Sequence, residues 1–187
     1  MVVGTDGRTG EHRGESVALG RSSTDEGLIS QALTSRYPAM RRLAAVAADT
    51  DIEPDDVVHE VFARVFVRWH EVGVPAEPDA YLRRAIMNHI RNERRARARG
   101  RSAVTRVGAT ASAEAADPTY PSDLDALLDS LTPEDRSLVF LVDIEGLSAR
   151  DAAAAVGLTA VAARSRLSRA RRALRTTVAA QEREERS

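Results

Sequence analysis

The sequence predicts an all-α protein made of two small helical bundles joined by a flexible linker, with a helix-turn-helix in the second bundle. Apolar residues recur every three or four positions in several segments, and no segment shows the alternation of a half-buried strand. Residues 99–121 are rich in Gly, Ser, Thr, Pro and Ala without an apolar stripe, which is typical of a linker. Aromatic residues are only 4% of the chain, so Ala, Val, Leu and Ile must build the core.

The first bundle is predicted over residues 24–98, after a polar, Gly-rich N-terminal tail (1–23) that we expect to be disordered. Pro38 and Pro54 suit the first turns of its second and third helices. A loop around Gly73 then separates the third helix from the fourth. The predicted inward residues, in chain order, are Leu28, Ile29, Leu33, Met40, Leu43, Val46, Ala47, Val58, Val61, Phe62, Val65, Phe66, Trp69, Tyr81, Leu82, Ala85, Ile86, His89 and Ile90.

The second bundle is predicted over residues 122–178, followed by a polar tail (179–187). Thr132, followed by Pro, Glu and Asp, predicts a helix start, because Thr caps the helix and acids favour its N-terminus. That helix is expected to stop at Gly146, and Ser148 and Thr159 are expected to cap the next two. The predicted inward residues of this bundle include Leu138, Val139, Leu141, Val142, Ile144, Ala163, Leu167, Ala170 and Leu174.

Charge is strongly segregated, although the formal net charge is only −1. All 27 basic residues are Arg, which can bind phosphate and guanine edges with two donors at once. Nine Arg and a single acid lie between residues 83 and 106, and six Arg and no acid lie between 164 and 175. Two separate basic elements predict two contacts along one polyanion, whereas solvated helix faces are the alternative interpretation of each run.

Residues 146–167 predict a helix-turn-helix. A tight Gly turn sets two helices at a steep angle, so that the second helix can enter a major groove. Arg164, Ser165, Ser168 and Arg169 share one face of that second helix. Arg can pair with guanine or phosphate and Ser can donate to either, so this face predicts DNA binding. Helix–Gly–helix units also occur in helical bundles that do not bind nucleic acid.

Two sets of motifs resemble bacterial RNA polymerase sigma factors of the sigma-70 family. The run from Leu131-Thr-Pro-Glu-Asp-Arg through Glu145-Gly-Leu-Ser to Arg164-Ser-Arg-Leu-Ser-Arg resembles region 4, most closely that of the short extracytoplasmic-function (ECF) group. Glu53-Pro-Asp-Asp-Val-Val-His-Glu-Val-Phe resembles region 2.2, and Asp79-Ala-Tyr-Leu-Arg-Arg-Ala-Ile-Met-Asn-His resembles the region 2.3–2.4 helix. The resemblance covers residues 25–98 and 122–178.

The resemblance implies a transcription initiation factor that binds core RNA polymerase, directs it to promoters and assists promoter melting. The implied partners are the β′ clamp helices and the β subunit of the polymerase, promoter DNA and an anti-sigma factor. Polymerase binding would use Asp55, Asp56, His59, Glu60 and Phe62. Recognition of the −35 element would use Arg164, Ser165, Arg166, Ser168 and Arg169. Capture of the −10 element would use the loop 72–78 with Arg84, Asn88, Arg91 and Arg95.

The spacing of the last four residues supports this assignment independently. They follow at i, i+4, i+7 and i+11, so they share one face of the fourth helix. Such a face can hold a phosphate backbone while Asn88 meets a base edge. Binding to the displaced strand offsets the cost of unstacking a base, so no ATP site is needed. The chain has no Lys, and therefore no Gly-rich phosphate loop of the Lys-containing kind.

Other functional classes fit the sequence less well. A stand-alone helix-turn-helix regulator that dimerises through the first bundle is the main alternative, and a protein that only binds other proteins is a third. Residues 49–60 nearly match a calcium loop, but Pro54 stands where such a loop needs Gly. Asp55 and His59 lack further metal ligands, and no catalytic constellation is visible, so we expect no enzymatic activity and no cofactor. Without Cys, a signal peptide or a membrane span, a cytoplasmic location is expected.

Overall fold

In a computed structural model, which describes residues 25–103, 127–128, 130–184 and 186, every regular element is helical. We label the helices in chain order. Helix α1 spans 25–34, and α2 to α4 span Tyr37–Ala47, Pro54–Val72 and Pro78–Ala103. After α5 (Pro133–Val139), a π-helical turn (Phe140–Ile144), α6 (Ala149–Val156) and α7 (Ala160–Glu184) follow. The predicted all-α class is thus confirmed. None of the helices within the described ranges is both long and apolar enough to cross a membrane.

Helices α2, α3 and α4 pack on one another to form the first bundle. Their predicted stripes supply its core, in which Leu43, Val58 and Ile86 are fully enclosed. Two predicted inward residues face solvent instead. Leu28 is 57% exposed because Ile29 and Leu33, one turn apart, take the inward positions of α1. Tyr81, which is 41% exposed, lies in the first turn of α4 and covers Trp69 with its ring, the two centroids being 5.9 Å apart.

Helices α5, α6 and α7 form the second bundle, and the predicted caps set their starts. The hydroxyl oxygens of Thr132, Ser148 and Thr159 accept hydrogen bonds from backbone N–H groups three residues on. Gly157 ends α6 in the left-handed conformation, with φ of 74°. A residue with a Cβ adopts this conformation at a cost, so Gly suits the turn. The inward face of α7 is the predicted one, with Ala163, Leu167 and Ala170 buried.

The helix after Thr132 differs from the prediction in its last turn. It becomes π-helical from Phe140 onward, and the backbone N–H of Glu145 bonds to the carbonyl of Phe140, five residues back. Phe140, which begins this turn, is fully buried although it was not predicted to be. The wider turn rotates the residues that follow it, and Ile144, predicted to face inward, is 40% exposed.

The helices extend beyond the predicted segment boundaries. Helix α4 continues to Ala103, whereas the linker was predicted from residue 99. Helix α7 continues to Glu184, into the predicted C-terminal tail. Most of the predicted linker and the whole predicted N-terminal tail lie outside the described residues, so the predicted domain division stays a prediction.

The two bundles pack against each other. Helix α4 contacts α6, and α2 contacts both α5 and the π-helical turn. We call this contact region the junction. It is polar at its edges, where Arg side chains of one bundle donate to backbone carbonyls or carboxylates of the other. As a result, part of the basic face of α4 is covered by the helix-turn-helix.

Replacing the cap of α6 tests how its start is fixed. We expect Ser148→Ala to lower the free energy of unfolding by about 1 kcal/mol, because the N–H of Asp151 loses its acceptor at the helix start. Urea denaturation of the purified chain measures this. Ser35→Ala is the matched control, since the exposed Ser35 hydroxyl donates to a carbonyl and caps no N–H. Equal losses for the two variants would contradict the capping role.

Candidate nucleic-acid and protein-docking surfaces

The strongest candidate for a nucleic-acid interface is the solvent face of α7. Arg164, Ser165, Ser168 and Arg169 are all exposed on it, as the sequence predicted. Neither Arg164 nor Arg169 forms an ion pair with any residue that the structure describes. We call these four residues the recognition face. Its guanidinium and hydroxyl donors can therefore reach base edges or phosphates without first breaking an internal contact.

Arg166, predicted to belong to the same set, turns the other way. Its Nε donates to Oδ1 of Asp135 at 2.7 Å, and its Nη2 lies 3.4 Å from the hydroxyl of Thr132. Both partners belong to the start of α5, so Arg166 ties α7 to the first helix of its own bundle. The sequence gives no sign of this, because Arg166 and Asp135 are 31 residues apart.

A second Arg of α7 holds the π-helical turn. Arg171 donates from Nε and Nη2 to the two carboxylate oxygens of Asp143, at 3.1 and 2.5 Å. These hydrogen bonds are the main cause that raises the pKa of Arg171 above its ordinary value. Two parallel N–H···O bonds fix the orientation of the guanidinium plane. Arg166 and Arg171 together fix the orientation of α7 against the other helices of its bundle.

A groove beside the recognition face adds candidates that the sequence did not single out. It has a volume of about 420 Å³ and lies between α7, the start of α6 and the π-helical turn. Its walls include Arg164 and Ser168 of the recognition face, together with Val142, Ala149, Leu167, Arg171 and Arg175. Arg175 lies one turn beyond Arg171 on α7, so the cationic surface extends past the predicted contact set.

The predicted −10 residues of α4 are brought together, but three of the four contact other groups. Arg91 donates to the carbonyl of Val156 and, at 3.0 Å, to Oδ1 of Asn88. Arg84 donates from Nε to the carbonyl of Ala154 at 3.3 Å. Arg95 is exposed, one turn further along. The helix-turn-helix contacts this face through Arg84 and Arg91, but Arg84 and Asn88 remain exposed and Arg91 is half-buried.

The predicted polymerase-docking residues lie along one side of α3. Asp56, His59 and Glu60 are exposed, and Phe62 is half-buried. Asp55 lies apart from these: its Oδ1 accepts from the hydroxyl of Tyr37 at 2.5 Å, and Nε of Arg41 donates to its two oxygens at 3.1 and 3.2 Å. Asp55 thus joins α3 to α2.

Tyr37, which the sequence did not single out, organises this docking surface. Its ring lies 5.4 Å from the ring of His59 and meets Phe62 edge-on, with centroids 6.0 Å apart. Burial, followed by the hydrogen bond to Asp55, raises the pKa of Tyr37 to about 12. The same hydrogen bond is the first cause that lowers the pKa of the Asp55 carboxyl. Tyr37 therefore contacts the rings of His59 and Phe62 and also binds Asp55, which lies beside them.

His89, predicted to face inward, is buried between groups of α3. Its Nδ1 lies 2.7 Å from Nη2 of Arg64, and its Nε2 lies 3.8 Å from a carboxylate oxygen of Glu60. Since a guanidinium only donates, Nδ1 of His89 is the acceptor in this short contact. Glu60 also lies 3.6 Å from Arg64, so this predicted docking residue is held from two sides.

Comparison with known proteins identifies relatives for most of the chain. A sequence-family model described as "Sigma-70, region 4" matches residues 122–174. The chain is 34% identical over 146 residues to the ECF RNA polymerase sigma factor SigE of Mycolicibacterium smegmatis, covering 74% of this chain and 56% of that protein. It is 28% identical over 151 residues to the RNA polymerase sigma-E factor of Streptomyces coelicolor, covering 79% and 84%. The match therefore spans little more than half the length of the first relative.

Two solved structures have a similar fold. The sigma factor RpoE in complex with the anti-sigma factor NepR, from Bartonella quintana, gives a TM-score of 0.64 at 23% identity and covers 80% of this chain and 95% of that one. CnrH in complex with the cytosolic domain of CnrY gives 0.55 at 24% identity, covering 87% and 95%. At these identities the likeness shows the fold alone.

The contact between Tyr37 and Asp55 predicts that the stability of the fold depends on pH. The raised pKa of Tyr37 means that its contribution to stability is fully present below pH 10.0 and is lost as the pH rises through about 12. The lowered pKa of Asp55 means that its contribution is present above pH 3.8 and is lost as the pH falls through the folded-state value. We expect Tyr37→Phe to lower the unfolding free energy at pH 7 by about 1 kcal/mol.

Two measurements check this expectation. Urea denaturation gives the change in stability, and ultraviolet difference absorbance during alkaline titration should show one late-ionising Tyr that Tyr37→Phe lacks. Tyr81→Phe is the control, because Tyr81 is 41% exposed and its ring packs at a tilt against Trp69. A late-ionising Tyr that persists in Tyr37→Phe would contradict the assignment.

Proposed function

Because the chain belongs to the sigma-70 family of bacterial RNA polymerase sigma factors, in its ECF group, we propose that it is a transcription initiation factor that binds core RNA polymerase and directs it to promoters. The observation that carries this proposal is the recognition face of α7, whose four polar residues are exposed on the second helix of a helix-turn-helix. Such a helix enters the major groove with its N-terminal part. The recognition face begins four residues into α7, as this docking requires.

We propose that the recognition face reads the −35 element. Arg164 and Arg169 can each donate two hydrogen bonds to one guanine, and Ser165 and Ser168 can donate to a base or a phosphate. Arg166 and Arg171 act as positioning residues, because their carboxylate partners at Asp135 and Asp143 fix α7 within its bundle. The groove that contains Arg175 supplies donors for the phosphate backbone next to the element.

The −10 element is assigned to α4 and to the loop before it. Arg84, Asn88, Arg91 and Arg95 line one face of α4, and this face carries three guanidinium groups for one strand of DNA. An unstacked base held by the loop would cost a few kcal/mol, which phosphate contacts along α4 offset. Use of this face requires α6 to move, since Arg84 and Arg91 contact α6 in the structure.

Polymerase binding is assigned to the exposed side of α3. Asp56, His59 and Glu60 present a mainly acidic surface beside the half-buried ring of Phe62. Such a surface fits a partner that is basic at its edges and apolar at its centre, and we assign the β′ clamp helices to that role. Asp55 supports this surface through Tyr37 instead of facing the partner.

We also propose an anti-sigma factor as a partner. RpoE and CnrH, which share this fold, were both solved with a bound protein, named an anti-sigma factor in the first case. Nothing in the chain specifies the sequence of such a partner.

A reconstituted transcription assay tests the proposal. The chain is added to core RNA polymerase with a library of promoter fragments, and transcripts are selected and sequenced. We expect transcripts that start downstream of one shared pair of elements and that require both components. If the chain alone protects duplex DNA while core polymerase and chain together give no promoter-dependent transcript, the stand-alone regulator replaces this proposal.

Substitutions on α7 distinguish residues that contact DNA bases from residues that orient the helix. We expect Arg164→Ala and Arg169→Ala each to weaken binding to the selected −35 duplex by about 1–3 kcal/mol, because each removes a paired donor. Arg166→Ala should mainly lower the free energy of unfolding, since it removes the contact with Asp135. Fluorescence anisotropy and urea denaturation measure the two effects. Arg68→Ala, which removes an exposed Arg of the other bundle, is the control.

A second pair of substitutions tests the docking surface. We expect Asp56→Arg to weaken binding to core polymerase at least tenfold while leaving −35 duplex binding unchanged, because it reverses the charge at the centre of the surface. Glu26→Arg makes the same charge change on exposed α1 and serves as the control. Gel-filtration or anisotropy titration with core polymerase measures both. Wild-type affinity in Asp56→Arg would remove α3 from the interface.

A further inference from the structure

One large apolar side chain of α7 faces solvent. Val161 lies in the first turn of this helix, two residues after Thr159. It is 70% exposed, the highest value among the large apolar side chains that the structure describes. Val has a lower helix propensity than Ala, and a side chain this exposed adds little to the core. The stability of α7 therefore does not explain a Val at this position.

Val161 extends the recognition face toward the start of α7. Arg164, Ser165 and Ser168 follow it at i+3, i+4 and i+7, so all four side chains lie along one side of the helix. The three polar residues are exposed as well. The N-terminal part of a recognition helix is the part that contacts base edges in the major groove. A side chain as short as that of Val can therefore reach a base from this position.

The start of α7 holds Val161 in one orientation. The hydroxyl oxygen of Thr159 accepts from the backbone N–H of Ala162 at 3.2 Å, and its carbonyl accepts from that of Ala163 at 2.9 Å. Ala163 is itself fully buried, which anchors the first turn to the bundle. A β-branched side chain in a helix also has one strongly preferred χ1 rotamer. The two methyl groups of Val161 are thus preorganised, and little side-chain entropy is lost when a ligand covers them.

Among the four standard bases, thymine offers an apolar side chain the best partner in the major groove. Thymine presents its 5-methyl group there, whereas Arg164 favours the acceptors of guanine or a phosphate. Val161 and Arg164 are three residues apart, which is about 4.5 Å along the helix axis and close to the roughly 3.4 Å rise per base pair. We therefore expect the methyl group within one base pair of the base that Arg164 contacts.

We propose that Val161 selects thymine at one position of the −35 element by packing against its 5-methyl group. The polar residues of the recognition face supply hydrogen bonds, and Val161 supplies an apolar contact beside them. This inference rests on the function proposed above, and it adds a base preference that the Arg and Ser donors do not provide. An exposed Val can also contact a protein, so the experiment includes core polymerase.

Replacing thymine by deoxyuridine tests the proposal, because uracil lacks the 5-methyl group and keeps the same hydrogen-bonding atoms. The −35 element selected in the transcription assay is scanned one thymine at a time on both strands. Fluorescence anisotropy gives the affinity of the holoenzyme for each labelled promoter fragment. We expect one replacement to weaken wild-type binding about fourfold, as for the loss of one buried methyl group. Holoenzyme that contains Val161→Ala should bind the thymine and deoxyuridine fragments equally.

Two matched variants complete the design. Val161→Ile keeps a branched apolar side chain and should retain the preference for thymine. Val178→Ala makes the same truncation at an exposed Val further along α7, and it should leave the preference unchanged. Circular dichroism checks that each variant is helical. We expect Val161→Ala to fold, because Ala has the higher helix propensity and the position is outside the core.

The outcomes separate this inference from the proposed function. If no thymine position responds in the wild type, or if Val161→Ala keeps the full preference, the inference is overturned. Weaker binding of Val161→Ala to core polymerase, with the thymine preference intact, would assign Val161 to a protein contact and would overturn it too. An absence of promoter-dependent transcripts would remove the proposed function and this inference with it. Transcripts without a thymine preference that depends on Val161 would remove the inference alone.

Discussion

Arginine side chains that donate to the carbonyl ends of helices join the two bundles. Arg136 of the second bundle reaches the carbonyl of Ala48 at the end of α2, and Arg91 of the first reaches that of Val156 at the end of α6. Within the first bundle, Arg94 likewise reaches the carbonyl of Ala47. A helix end is a suitable acceptor because its last carbonyls have no partner of their own and lie at the negative pole of the helix. The guanidinium is a suitable donor because its five N–H groups can serve a carbonyl and a carboxylate together, as Arg94 does with Asp49.

Since Arg is the only basic residue type in the chain apart from His, one chemical group serves both architecture and recognition. Geometry alone divides the two roles. On α7, Arg164 and Arg169 face solvent, while Arg166 and Arg171 face carboxylates of the same bundle. On α4 the division is incomplete along the proposed DNA face, because Arg84 and Arg91 also contact α6 whereas Arg95 does not. The Arg side chains of α7 are therefore more available to a ligand than those of α4, although both helices are rich in Arg.

Local signals in the sequence were enough to predict the helices, their caps and most of the core. Thr132, Ser148 and Thr159 cap helices because the N–H groups that they accept from lie three residues away, within the reach of sequence reasoning. The partners of Asp55 and Arg166 could not be predicted, because each contact joins segments that only tertiary packing brings together. The junction was beyond prediction for the same reason. It depends on how the two bundles meet, and no residue spacing encodes that.

The π-helical turn at Phe140–Ile144 determines how many residues the chain needs between α5 and α6. It accommodates one residue more than an α-helix would between the same hydrogen-bonded groups. Removing one of its five residues would let the helix continue as α and leave α5 and α6 in nearly the same relative orientation. The turn is thus a point at which the chain length of the second bundle can change by one residue without rotating the helices that follow.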